Sequence, residues 1–436
     1  MTTQSFMYIA TTNLVAAAYD NDRISKDQAT TISTIVTALQ LAMVVGVVFG
    51  IGLGGSSTFF IKALLGKGHD VNVEVLSAAE KYVRIRALGM PATVLIGTAQ
   101  SACLGMKDIR SPLMVMVAAA LVNLIGDLIF VGREHPWLGG AAGAAWATVF
   151  SQYAALFMFI KWLSAKPSSS SSSTGTGMTK DEGIISSRGI LHSHFHVRDL
   201  FKMPRSMVIS KKFGEYLVPV TTTAIGRVSG YIAMSHVVSS AFGVADMAAQ
   251  QIIVSFFLCL IPMCDSLNLT AQSFVPGIHE FSGNLRLRSQ VLKDTVKNFM
   301  KAGGIFGLAL AAIASCMPLV SHFFTRDPAV IASVNSTTPY LALYCALAGV
   351  VCAGEGLLLG QKDLSFLKNS FTAFAVAVPY FLLRLKREVL NGAQTIGLDS
   401  IWRVFAIYQV IRSGMWILRL KHLSIRDDEH LTGTKR

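Results

Sequence analysis

The chain has 436 residues, 52% of them hydrophobic and only 14% charged against the roughly 25% of ordinary soluble domains. Such a composition excludes a soluble globular protein and reads as a multi-pass membrane protein. The excess of 38 Lys+Arg over 25 Asp+Glu does not point to nucleic acid, because no soluble face gathers it. Lys and Arg instead crowd alternate loops, among them Arg23, Lys107, Lys180, Arg286 and Lys421. That asymmetry orients the loop side holding them toward the cytoplasm or an equivalent compartment.

In chain order, residues 5–18 are apolar but short, with no basic residues ahead of them, and they fail the signal-peptide test. They read as most of one span. Runs close to the ~20 residues that cross a bilayer follow at about 32–54, 87–105, 112–131 and 139–163. Six more come at about 215–238, 248–274, 302–324, 340–360, 371–385 and 401–418. The expectation is an all-α membrane protein of about eleven transmembrane helices.

Between the two sets lies a wet stretch, residues 164–204, with an unbroken serine run from Ser168 to Ser173 followed by Thr174-Gly175-Thr176-Gly177. It cannot bury enough apolar surface to offset the entropy of ordering, so it reads as a flexible linker. Its end, 195–212, alternates apolar and basic residues and reads as a surface-lying lead-in to the next span. The organisation expected is an N-terminal lobe at 1–163, the linker and lead-in at 164–204, a C-terminal lobe at 205–424 and a polar tail at 425–436. His192, His194 and His196 could chelate a metal from an extended strand. On a linker, a solvated run is the stronger reading, and no metal or cofactor is expected. The six cysteines all sit in apolar runs without CxxC spacing and read as small buried hydrophobes. Asn335-Ser336-Thr337 is a formal glycosylation sequon.

The two sets of spans echo each other. Leu104-Gly105-Met106-Lys107-Asp108 returns 255 residues later as Leu359-Gly360-Gln361-Lys362-Asp363, which places Gln100 opposite Glu355. Trp146 and Gln152 pair with Trp402 and Gln409, and Thr11-Thr12-Asn13 pairs with Thr270-Ala271-Gln272. Duplication into same-sense halves marks several transporter folds, whose ligands bind at the repeat interface.

These residues carry a resemblance. Tyr82 to Leu88, the Leu104 to Asp108 turn, Gly143 to Thr148 with Ser151-Gln152, Thr270 to Pro276 and Glu355 to Asp363 resemble the MATE family of multidrug and toxic compound extrusion transporters. The likeness is strongest to its DinF-like branch, with the plant chloroplast-envelope members. It implies two pseudo-twofold-related helical lobes of the MATE/MOP type, forming a V around a central cavity. It also implies twelve helices, the first of which is missing ahead of Ser5. A plastid envelope location follows from it, with plasma or vacuolar membrane as alternatives.

Ionisable residues inside spans cost at least ~2.5 kcal/mol at the bilayer centre and are functional candidates by default. Asn123 and Asp127 lie four apart on one helix face. The resemblance makes them a cation-coupling site with Thr148, the coupling ion being a proton or, second, sodium; Asp127 meeting headgroup water is the competing reading. Arg227, at mid-span, would favour an anionic substrate or hold a carboxylate such as Asp265 or Glu355. Asp265 matches a carboxylate position of plant members. Glu355, Gln100 and Gln272 complete the candidate cavity set, with a capping role for Glu355 in competition because Gly360 ends its helix. Asp246 and Glu215 sit at span ends and read as interfacial.

The glycine-rich patches lack the strand, turn and lysine of a phosphate loop, so ATP drive is excluded and no enzyme activity is expected. The expected function is a monomeric secondary antiporter that exports small organic compounds, of drug, phenolic or organic-acid type, in exchange for protons. A transport-inactive scaffold and a lipid flippase of related architecture are the alternatives.

Overall fold

A computed structural model describes residues 5–25, 28–65, 73–135, 137–165, 190–191, 197–202, 206–280, 285–392 and 396–432. Their regular structure is entirely helical. In order the helices are α1 (Ser5–Ser25), α2 (Ala29–Leu65), α3 (Val73–Leu88), α4 (Met90–Gly105), α5 (Arg110–Phe130) and α6 (Gly140–Leu163). After a 3-10 turn at Val197–Phe201 come α7 (Met207–Ala241), α8 (Val244–Glu280), α9 (Leu285–Ser315), α10 (Met317–Phe324), α11 (Pro328–Gly360), α12 (Leu364–Leu390) and α13 (Leu398–Thr432).

Every span expected from hydropathy coincides with a helix, yet the helices are unequal. Among the described residues, 7 are long and apolar enough to cross a membrane, or 8 if the α3 and α4 pair, bent by 49°, forms one span. The expected count of about eleven is reached only by adding α1, α7 and α13. Their polar residues lower the average, but several point into protein: Thr11, Thr12 and Asn13 are at most 1% exposed and Arg412 is 6% exposed. Mean hydropathy counts such residues without registering which way they face.

The chain divides into two compact units, Phe6–Glu215 and Tyr216–Arg436. In the first, α2 packs on α3 and α4, α5 on α6, and α3 on α6. The bend between α3 and α4 falls at Gly89, with Pro91 just inside the new helix. Proline suits a helix's first turn because its missing N–H would have no partner there. A Cβ on Gly89 would lie 2.4 Å from Oε1 of Gln152, the same oxygen that accepts from Arg86 Nη1 at 3.2 Å. In the second unit α11 is the central helix, 67% buried over its apolar window, and it packs on α8, α9 and α13. Phe257, Tyr344, Trp402 and Phe405 pack edge-on or tilted in its core at ring separations of 5.3 to 6.1 Å.

The sequence echo becomes the same backbone motif in each unit. After α4, the amides of Lys107 and Asp108 donate to the carbonyls of Leu104 and Cys103 at 2.9 Å each. After α11, Lys362 and Asp363 donate to Leu359 and Leu358 at 3.1 and 3.0 Å. Both are Schellman caps, which satisfy carbonyls that the helix end leaves open.

The serine run and the three linker histidines lie outside the described residues. The described part of the lead-in is largely exposed, with Phe201, Met207 and Val208 at 77%, 84% and 71%, and it is anchored near Leu200. Leu200 is 3% exposed, Gln40 Nε2 on α2 donates to the Asp199 carbonyl at 2.9 Å, and the Leu191 amide donates to Leu163 at 2.9 Å. Leu200 thus buries one apolar side chain of a segment whose other apolar residues stay exposed.

Candidate functional site

Several of the polar residues singled out within spans gather in two clusters, one in each unit. The first is built by α5 and α6. One helical turn brings Asn123 Nδ2 within 3.0 Å of Asp127 Oδ2, where the amide donates to the carboxylate. Between them, Gly126 lets the neighbouring helix approach: a Cβ there would lie 2.8 Å from the Cβ of Ala147. Close packing at this point brings Ser151 of α6 alongside, its Oγ 3.4 Å from Asn123 Oδ1. Both Asn123 and Asp127 are half-buried.

Thr148 sits on the adjoining turn, but its hydroxyl donates to the Ala144 carbonyl at 2.9 Å, within its own helix. Ser151 Oγ likewise donates within its own helix, to the Thr148 carbonyl at 2.8 Å, and its approach to Asn123 Oδ1 at 3.4 Å is the longer contact. Ser151 follows Thr148 by three residues and so shares its helix face. Gln100, also in this unit, is half-buried on α4 and is not among the described contacts of the pair.

The second cluster lies inside the C-terminal unit and centres on Glu355 of α11, which is 2% exposed. Its Oε1 pairs with Arg227 of α7 and its Oε2 with Arg412 of α13. Of the two carboxylates within reach of Arg227, Glu355 is the one with which it forms an ion pair. Asp265 of α8 faces the same space and accepts from Cys352 Sγ at 3.8 Å. Two guanidiniums and two carboxyl groups are therefore held together in an apolar surrounding, where an unpaired charge would be costly.

The rings of Phe371, Tyr408 and Trp416 surround Arg412 at 4.9 to 5.7 Å. Arginine suits this position, because its flat, weakly hydrated head can stack and form ion pairs at once.

Beside the ion pairs is a cavity of about 120 Å³, space for roughly four waters at ~30 Å³ each. Tyr231, Tyr344, Gln409 and Asp265 line it with both arginines and Glu355. The hydroxyls of Tyr231 and Tyr344 are 3.4 Å apart. Glu355 faces this space rather than capping α11. Gln272 is placed elsewhere on α8: its Nε2 donates to Asn268 Oδ1 at 2.8 Å, and it does not line the cavity.

Arg412 has no place among the residues that the sequence alone singles out. Nothing in the spacing ties it to Glu355, 57 positions away. The hint was its charge at membrane depth. Asp246 accepts a hydrogen bond from Ser333 Oγ at 2.5 Å at the start of α8, away from the cavity lining. Among the described residues, no group of three or more His, Cys, Asp or Glu is placed to hold a metal ion.

Comparisons with known proteins bear on both units. Residues 4–129 match the MatE family. The chain is 26% identical over 420 residues to Protein DETOXIFICATION 47, chloroplastic, of Arabidopsis thaliana, covering 95% of this chain and 68% of that protein. It is 27% identical over 416 residues to Protein DETOXIFICATION 44, chloroplastic, of the same plant, covering 94% and 70%. Its fold matches an outward-facing multidrug resistance MATE family transporter of the MOP superfamily with a TM-score of 0.77, at 16% identity, over 98% of this chain and 85% of that one. The chain is a multi-pass membrane protein that carries the MatE pattern over residues 4–129, resembles the chloroplastic DETOXIFICATION proteins along nearly its whole length, and has the fold of MATE transporters.

Proposed function

We propose that the protein is a secondary active exporter of small organic compounds, driven by protons exchanged at the Asn123–Asp127 pair. One observation carries this reading: a carboxylate in an apolar span is held by an amide on the same helix, at the contact of α5 with α6, in a chain of this fold.

The chemistry follows from the donor inventory. An ionised Asp127 only accepts, so it takes the Asn123 amide hydrogens and leaves Asn123 Oδ1 to Ser151. Once protonated, Asp127 becomes a donor, loses the charge that held the Asn123 amide N–H, and can donate to Asn123 Oδ1 instead. The α5 and α6 contact is tight at Gly126, so a change of partners at Asn123 moves one helix against the other. In this reading the coupling ion is a proton, with sodium in second place. The N-terminal lobe carries the coupling site, the C-terminal lobe carries a polar substrate cluster, and residues 164–204 link the two.

Two of the relatives are named chloroplastic, which favours the plastid envelope. The test is flux in proteoliposomes under an imposed pH gradient, using a panel of small organic acids and amines. Gradient-driven flux should collapse with a protonophore and in Asp127→Asn, with membrane insertion unchanged. Flux that ignores the gradient, or an Asp127→Asn protein with wild-type gradient dependence, would sink the proposal.

A further inference from the structure

We infer that the cavity beside Arg227 and Arg412 is an oxyanion site for the carboxylate of an organic ligand, and that Glu355 is a tethered carboxylate occupying that site until the ligand displaces it. This names the substrate class of the exporter proposed above and rests on that reading only for its biological use.

Three observations carry it. First, one carboxylate, 2% exposed, engages two guanidiniums from different helices, Arg227 on α7 and Arg412 on α13. Planar guanidinium forks match carboxylate geometry in a free ligand as well as they match Glu355.

Second, donors remain unused. Arg227 Nε and Arg412 Nε are buried without hydrogen-bond partners, and so is the acceptor Gln409 Oε1 on the same cavity wall. A buried polar group left unpaired is expensive, and two such donors on the arginines around one cavity point to an acceptor from outside the chain. Third, Arg227 is reachable: its side chain is 34% exposed, whereas that of Arg412 is 7% exposed and boxed by rings.

Charge decides who competes. Facing Glu355 are Arg227 and Tyr231 from α7, Asp265 from α8, and Arg412 and Tyr408 from α13, with Cys352 and Tyr344 from its own helix. From α9, Gly303 and Gly307 pack against α11 and bring no charge. Two cations thus meet two carboxyl groups, and an added anion is in excess unless it replaces one of them. Glu355 already lies on both arginines, so it is the group replaced. A cationic ligand would meet guanidiniums at the reachable end and gain nothing from the unused donors.

The test is equilibrium binding to the full chain in lipid nanodiscs with two probes of one size and opposite charge, benzoate and benzylammonium. Glu355→Gln should tighten benzoate at least about tenfold, because a rival charge at salt-bridge distance is removed. Arg227→Gln should abolish benzoate binding, and benzylammonium should not bind the wild type. Unchanged or weaker benzoate binding in folded Glu355→Gln overturns the inference, as does benzylammonium binding that Glu355→Gln removes. Should the Gln variant not fold, Glu355→Asp decides in the same way, since it draws the rival carboxylate back by one methylene. Binding is read without a gradient. Benzoate tightening with no gradient-driven flux would sink the exporter reading and leave this inference standing; gradient-driven flux without tightening would do the reverse.

Discussion

Lys107 and Lys362, 255 positions apart, share one left-handed backbone conformation, with φ of 63° and 59°, and among the described residues no other non-glycine has a positive φ. An L-residue there costs roughly 1–2 kcal/mol, so the lysines need a reason to stay. In the first unit the reason is visible: Lys107 Nζ reaches Asp20 on α1 at 2.6 Å and lies over the Tyr19 ring at 5.9 Å. In the second unit the residue after Lys362 also anchors the cap, because Asp363 accepts from Arg419 of α13 at 2.6 and 3.1 Å. The cap has been kept in both copies while its partner has changed.

Glycine relieves this strain and a β-branched residue aggravates it. Lys362→Gly should therefore hold or raise the thermal midpoint of the purified protein, and Lys362→Val should destabilise it by about 1–2 kcal/mol. Equal midpoints for Lys362→Gly and Lys362→Val would show that backbone strain is not what matters there.

Gly126 sets the approach of α5 to α6. Gly126→Leu should cost about 1–3 kcal/mol by overpacking and separate Ser151 from Asn123. Gradient-driven flux should fall even in the fraction of protein that remains folded by size-exclusion chromatography. A Leu variant with wild-type stability and flux would mean that the contact is loose.

Arg412 is nearly buried, whereas Arg227 is about one-third exposed, and both hold Glu355. Removing one partner of a buried pair typically costs 3–5 kcal/mol, so Arg412→Met should lower the unfolding free energy by about 3 kcal/mol or more. Arg227→Met should cost less, because its exposed part is screened by solvent. Thermal unfolding that ranks the two variants the other way round would contradict the geometry.

Asp246 is a control for Asp127. It begins α8 and receives Ser333 Oγ, an interaction that the amide oxygen of Asn can replace. Asp246→Asn should change stability by no more than about 0.5 kcal/mol and leave gradient-driven flux intact. Loss of flux comparable to that of Asp127→Asn would place coupling at α8 as well.

Much of this was legible from residue order alone, because the bilayer imposes a length on each apolar run and helix geometry imposes a period on each face. The helices at each expected span, the pairing of Asn123 with Asp127 and the matching caps at Lys107 and Lys362 are all local, decided within a turn or two of backbone. Hydropathy was less reliable for α1, α7 and α13, since it weighs Thr11 or Arg412 without registering that each is turned into protein.

What only the tertiary structure decided is which distant charges meet. Arg227, Asp265, Glu355 and Arg412 come from four helices, and no period or spacing connects them; they converge because α11 is packed on by α8 and α13 and Arg227 of α7 reaches its Glu355. The same packing brought Ser151 within 3.4 Å of Asn123 and left Gln272 off the cavity although it lies on the same helix as Asp265. A sequence lists which side chains carry charge. Helix crossings, set by where small residues such as Gly126 allow backbones to close, determine which of those charges neutralise one another.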